Sequence, residues 1–162
     1  MFSDFKIGPQ AMKFFQMGYQ SQMEGKLEEA EYYYKKSLEI EKTAEAFTFL
    51  GWTYSQMNKL EKAIKECQKA INIDPDFGNP YNDIGSYLSQ LGQLDEAILW
   101  MEKAKLALRY ATPEYAYFNL GQVYEMKGLW PKALREYRDA LKINRDYEPA
   151  KVAFSRLESR LN

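Results

Sequence analysis

Four glycines, Gly18, Gly51, Gly85 and Gly121, recur in this chain at spacings of 33, 34 and 36 residues, each inside a stretch whose apolar residues return every three or four positions. That periodicity is helical, and glycine within a helix costs about 1 kcal/mol against alanine. Four such costs at one phase need a common cause. An aromatic residue precedes each glycine by four positions (Phe14, Phe47, Tyr81, Tyr117) and an alanine follows by twelve (Ala30, Ala63, Ala97, Ala133), with Ser37, Ala70, Ala104 or Ala140 seven further on. Small residues at matched places on successive helices let two backbones approach closely. The chain therefore reads as a series of helix pairs, each pair one repeat.

The second unit shows the division most clearly. Residues 44–57 and 60–73 are helical by period (Phe47, Leu50, Tyr54; Leu60, Ile64, Cys67, Ile71), with Asn58-Lys59 turning between them. Asp74-Pro75 closes the unit, because proline lacks the amide donor and disfavours a helical residue before it. Elsewhere the turns hold Gly25, Gly92 and Gly128, suited to the left-handed conformation that ends a helix. Thr112-Pro113-Glu114 predicts a helix start, with a capping hydroxyl, proline in the first turn and an acid at the positive helix end.

These residues resemble the tetratricopeptide repeat, a unit of about 34 residues with the pattern W-x2-L-G-x2-Y, then A-x3-F and P. Phe47, Leu50, Gly51, Tyr54, Ala63, Cys67, Ala70 and Pro75 occupy the pattern positions in the second unit, and Tyr117, Leu120, Gly121, Tyr124, Ala133, Tyr137 and Ala140 do so in the fourth. Ser21 and Leu88 depart from the tyrosine position, and the third-to-fourth junction is two residues longer than the others. The resemblance implies an all-α, right-handed superhelix of four helix-turn-helix repeats (about 11–43, 44–77, 78–113 and 114–147) in a single domain. An arm of residues 1–10 precedes it and a capping helix, 148–161, follows. It further implies that the first helix of each unit lines a concave groove that binds a peptide or protein.

Helix geometry assigns the groove face by phase from the glycines. The candidates are Met12, Phe15, Tyr19, Phe49, Trp52, Asn79, Asn82, Asp83, Tyr115, Phe118, Asn119 and Gln122, with Gln16, Glu45, Thr48 and Ser86 on the same phases. Aromatics on a face turned to water mark a partner surface, and carboxamides offer both donor and acceptor to an extended backbone. Phe49 and Phe118 have a second reading, a sideways turn into the next unit. Asn79, just before Pro80, also suits a helix-start hydrogen bond.

The four first helices carry Glu24, Glu45, Asp83, Glu114 and Glu125 against only Lys13 and Lys127, so the groove is expected to lean acidic and to take a neutral-to-basic segment with apolar anchors. The carboxylate clamp of chaperone-binding tetratricopeptide domains is not expected. Its cations and amides are replaced by Phe15, Tyr19, Phe49, Asn79 and Asp83. Secretion chaperones of type III systems are an alternative because they share the length and helical repeats. Self-assembly through the apolar arm, Phe2, Phe5 and Ile7, is another, the arm folding either onto its own first repeat or into a neighbour's groove.

Much chemistry is disfavoured by composition. There is no histidine, which removes imidazole-based acid–base catalysis, triads and ordinary zinc sites. Lone Cys67 stands at a core position and reads as a buried thiol. No phosphate-loop motif occurs, the acids of Asp74–Asn79 lack the later ligands of a calcium loop, and 22 basic residues against 23 acidic ones give no pull toward nucleic acid. No enzyme activity, cofactor, metal, nucleic acid or membrane insertion is expected, and a cytoplasmic location is.

Overall fold

The structure, a computed structural model, describes residues 1–162. Nine helices follow one another: α1 (Pro9–Met23), α2 (Leu27–Ile40), α3 (Ala44–Gln56), α4 (Leu60–Ile73), α5 (Asn79–Gln90), α6 (Leu94–Lys105), α7 (Glu114–Met126), α8 (Trp130–Ile143) and α9 (Glu148–Leu161). They pack in sequence as pairs, α1 with α2 through α7 with α8, and α9 covers the last pair. The first helices also touch one another, α1 with α3, α3 with α5 and α5 with α7, whereas the second helices make no comparable mutual contact. First helices thus crowd the inner side of a solenoid. None of the nine is long and apolar enough to cross a membrane.

Each recurring glycine sits where a partner side chain presses on its helix. A Cβ at Gly18 would lie 2.8 Å from the Tyr34 ring, at Gly51 3.0 Å from the Ala63 carbonyl oxygen and 3.1 Å from Cys67 Sγ, and at Gly85 2.6 Å from Met101 Cγ. At Gly121 it would run into the Tyr137 ring. The residue filling the gap is therefore the one four positions after the repeat alanine. Ala30, Ala63, Ala97 and Ala133 are themselves fully buried. The turns follow the same economy: Gly25, Gly92 and Gly128 have φ of 75°, 79° and 71°, and Asn58 takes the place of glycine at φ 60°, a conformation asparagine tolerates best among side-chain-bearing residues.

One expected cap does not form. Helix α7 begins at Glu114 behind Pro113 with no side-chain cap, and Thr112 contributes its carbonyl, which accepts from the Tyr115 amide at 3.1 Å. The reason is upstream. The longer junction between α6 and α7 folds back as a strap over the α4–α5 loop, where Arg109 N–H donates to the Asp76 carbonyl at 2.8 Å and Gly78 N–H to the Arg109 carbonyl at 3.0 Å. A side chain at Gly78 is forbidden, because its Cβ would lie 2.5 Å from Tyr110 Cγ.

The strap is anchored electrostatically. The Arg109 guanidinium donates to Asp74 Oδ2 at 2.8 and 3.1 Å and to Glu45 Oε1 at 3.0 Å, while lying 4.2 Å over the Phe77 ring. The Glu45 side chain is 1% exposed, so a groove acid expected from phase is instead the buried partner of a loop arginine. Burial works to raise the Asp74 carboxyl, but hydrogen bonds from Arg109 and Lys6 outweigh it and hold the group below its ordinary range.

Candidate functional site

The concave face divides into two parts. On α1 and α3 the amino-terminal arm lies down on its own chain. The Phe2 ring meets Phe15 at 5.2 Å and Tyr19 at 5.1 Å, both edge-on, and Phe5 meets Phe15 at 5.6 Å and Phe49 at 5.9 Å. Edge-to-face pairs at these separations are favourable beyond the area they bury. Polar contacts fix the register: Lys6 N–H donates to Glu45 Oε1 at 2.9 Å, Gly8 N–H to Glu41 Oε2 at 2.6 Å, and Lys6 Nζ to Asp74 Oδ2 at 3.2 Å.

This corrects the sequence expectation for Phe15, which faces the groove but is fully buried beneath the arm and offers nothing to a ligand while the arm is seated. Met12, Tyr19 and Phe49 are half-buried against the same cluster.

From α3 to α7 the face is uncovered. A cleft of about 240 Å³ opens among Thr48, Phe49, Trp52, Asn79, Asn82, Asp83, Tyr110, Thr112 and Tyr115. Trp52 is 36% exposed and Tyr115 44%. Not every predicted residue contributes a free group. Asn82 is buried and its Oδ1 accepts from Asn119 Nδ2 at 3.1 Å, which also reaches Ser86 Oγ at 3.4 Å. These two amides join α5 to α7 and correct the expectation of a pair free for a ligand backbone. Phe118 turns toward the next unit, 5.7 Å from Tyr137 and 5.4 Å from Tyr147, while Gln122 stays exposed beyond the cleft. Asn79 lines it, half-buried. Tyr110 and Thr112 were not foreseen; the two extra junction residues were the sequence signal for them.

The acids expected along the groove separate sharply. Glu45 is held by Arg109, Glu114 accepts from Asn144 Nδ2 at 3.0 Å, Glu125 accepts from Tyr137 Oη and Arg156 at 2.6 Å each, and Glu24 is paired with Lys26 at 2.6 Å. Asp83 has no such partner. Its carboxyl, half-buried in the cleft, is pushed up to about 7 by burial alone. Burial also raises the Tyr110 phenol and the Cys67 thiol well above their ordinary values, so both stay neutral.

Tetratricopeptide repeats match at residues 44–77, 66–99 and 114–147, together more than half of the chain. The chain belongs to the tetratricopeptide repeat family. No curated protein matches it in sequence. Among solved structures it is similar to pilF of Pseudomonas aeruginosa, with a TM-score of 0.85 at 22% identity over 93% of this chain and 68% of that one. PilW, described as a widely conserved type IV pilus biogenesis factor, gives 0.84 at 20% identity over 94% and 70%. YrrB, described as a tetratricopeptide protein with an unusual peptide-binding site, gives 0.70 at 22% identity over 88% and 73%. At these identities the likeness establishes the fold alone, a right-handed tetratricopeptide solenoid.

Proposed function

We propose that this tetratricopeptide protein is a non-catalytic docking scaffold that holds a segment of a partner protein along the open part of its concave face, between α3 and α7. The observation that carries the reading is the exposure of Trp52 and Tyr115 on either side of a cleft that no part of the chain fills. Tryptophan and tyrosine supply large rigid contact area and dominate binding energies at interfaces. The arm narrows the expected ligand: with Phe2 and Phe5 seated over Phe15, the first repeat is occupied and a partner meets the second to fourth. Apolar or aromatic anchors on that partner would pack on Trp52 and Tyr115, and its charge would be neutral to basic.

The test is a peptide selected on the wild-type protein from a random displayed library. Trp52→Ala with Tyr115→Ala is expected to weaken its binding at least tenfold while helical circular dichroism is unchanged. Equal affinity of wild type and a folded double variant refutes the concave docking face.

A further inference from the structure

Of the five acids carried by the first helices, Glu24, Glu45 and Glu125 are paired with cations within the chain and Glu114 accepts a hydrogen bond from Asn144, whereas Asp83 has neither kind of partner. A carboxylate placed in a partly dehydrated cleft without a donor is unfavourable, so the position works against folding unless something else meets it. The surrounding walls have a particular chemistry. Trp52, Tyr110 and Tyr115 line the cleft, and aromatic ring faces attract cations. Nearby cations are already engaged: Arg109 is committed to Asp74 and Glu45, and Lys127, at the far end of α7, to Asp95. A volume of about 240 Å³ admits one side chain rather than a helix.

We propose that this cleft is the receptor for a single arginine side chain of the partner segment, its guanidinium paired with the Asp83 carboxylate and stacked on the rings. Arginine suits the site because its planar group both stacks on aromatics and presents paired donors to a carboxylate. The assignment rests on the docking reading above and names the charge that reading calls for.

Protonation gives it a signature. The titratable groups around Asp83 are Cys67 on α4, Tyr87 on α5, Tyr110 on the strap and Tyr115 on α7; burial raises the first three well above pH 7, so they stay neutral. Asp83 alone changes charge near neutrality, with its carboxyl about 7. A bound cation favours the ionised form and pulls that value down. Binding therefore tightens as pH rises and Asp83 loses its proton.

The experiment follows the Trp52 indole N–H resonance of the full-length protein, identified by its loss in Trp52→Phe. The probe is Nα-acetyl-arginine methylamide, and the neutral analogue Nα-acetyl-citrulline methylamide is the control. The arginine probe is expected to shift the resonance saturably and the citrulline probe not at the same concentrations. Affinity should rise about tenfold from pH 6 to pH 8, following the ionised fraction of a group that titrates near 7. Asp83→Asn, nearly isosteric, should abolish the response with the rest of the spectrum preserved. Equal responses to the two probes, or a wild-type response from Asp83→Asn, overturn the assignment. If Asp83→Asn binds the library-selected peptide as wild type does while the Trp52 and Tyr115 variant loses it, the arginine receptor falls and the docking face stands; if neither variant loses it, both fall.

Discussion

The two ends of the concave face start from the same repeat phases and finish in opposite states. Around α1 and α3 Phe15 is fully buried and Tyr19 and Phe49 half-buried, all three met edge to face by Phe2 or Phe5. Between α3 and α7, Trp52, at the phase of Tyr19, and Tyr115, at the phase of Met12, stay partly exposed and line a cleft with an unpaired acid. Helix periodicity is blind to this difference, because phase says only which way a side chain points. What covers it is decided by segments outside the repeats, the arm at one end and the strap at the other. A groove of this kind is as much defined by its non-repeating pieces as by its repeats.

The contrast is easiest to break at Arg109. Arg109→Ala leaves Glu45 without its cation and Asp74 with Lys6 Nζ alone, and removing one partner from a buried pair costs about 3–5 kcal/mol. The retained Lys6 amide contact to Glu45 places the expected loss near the lower figure, measurable by urea denaturation. A loss within error would mean the strap is not what holds the two ends in register. The sign with acid is fixed by Asp74, whose folded value is depressed. Its contribution is present above the unfolded carboxylate value of about 4 and fades as pH falls through the still lower folded one, so the wild-type advantage over Arg109→Ala should shrink below about pH 4.

Phe2→Ala with Phe5→Ala addresses the covered end. Both rings are only partly buried, so about 2–3 kcal/mol is expected, under the range for fully buried phenylalanine. Phe15 should gain solvent access, read as increased binding of a hydrophobic dye. Unchanged stability together with unchanged dye binding would show that the arm does not sit on the first repeat.

The smallest effect has the opposite direction. Asp83 has a folded value near 7 against about 4 unfolded, so between those values the folded state binds more protons and stability falls as pH rises. Asp83→Asn should therefore stabilise the protein at pH 8, by about 1–3 kcal/mol after allowing for partial solvation, and leave it unchanged at pH 4. Calorimetric scans at the two pH values check this. A variant that is less stable at pH 8 would give Asp83 a structural role.

How much of this was legible depended on the range of the interaction. The recurring glycines foretold tight pairing because the pressing partner, Tyr34, Cys67, Met101 or Tyr137, always stands sixteen residues on, and repetition makes a fixed separation visible in one sequence. Asn58 was readable as a turn for the same reason, standing where other units have glycine. Exposed Trp52 and Tyr115 and half-buried Asp83, all named from phase, line one cleft. Arg109 was not readable. Its partners are 35 and 64 residues away, and it lies in a junction with no counterpart to compare. Thr112, read as a cap, is drawn into the strap, and Phe15, read as open, is sealed by a segment whose destination the sequence left between two choices. The pair of Asn82 and Asn119 shows a finer limit, since an amide at groove phase can satisfy a ligand or its neighbour equally well.

The Arg109 strap also bears on how the molecule comes apart. In a solenoid whose units meet only their neighbours, ends fray and the array melts by stages. Here one guanidinium between the third and fourth units reaches back to the first turn of α3 and to Asp74 after α4, so the third unit cannot detach without releasing a clasp on the second. The second and third units are thereby expected to open as one block. The docking surface proposed between α3 and α7 would keep the shape of its α3 and α5 walls, because the clasp holds those two rods as a single piece.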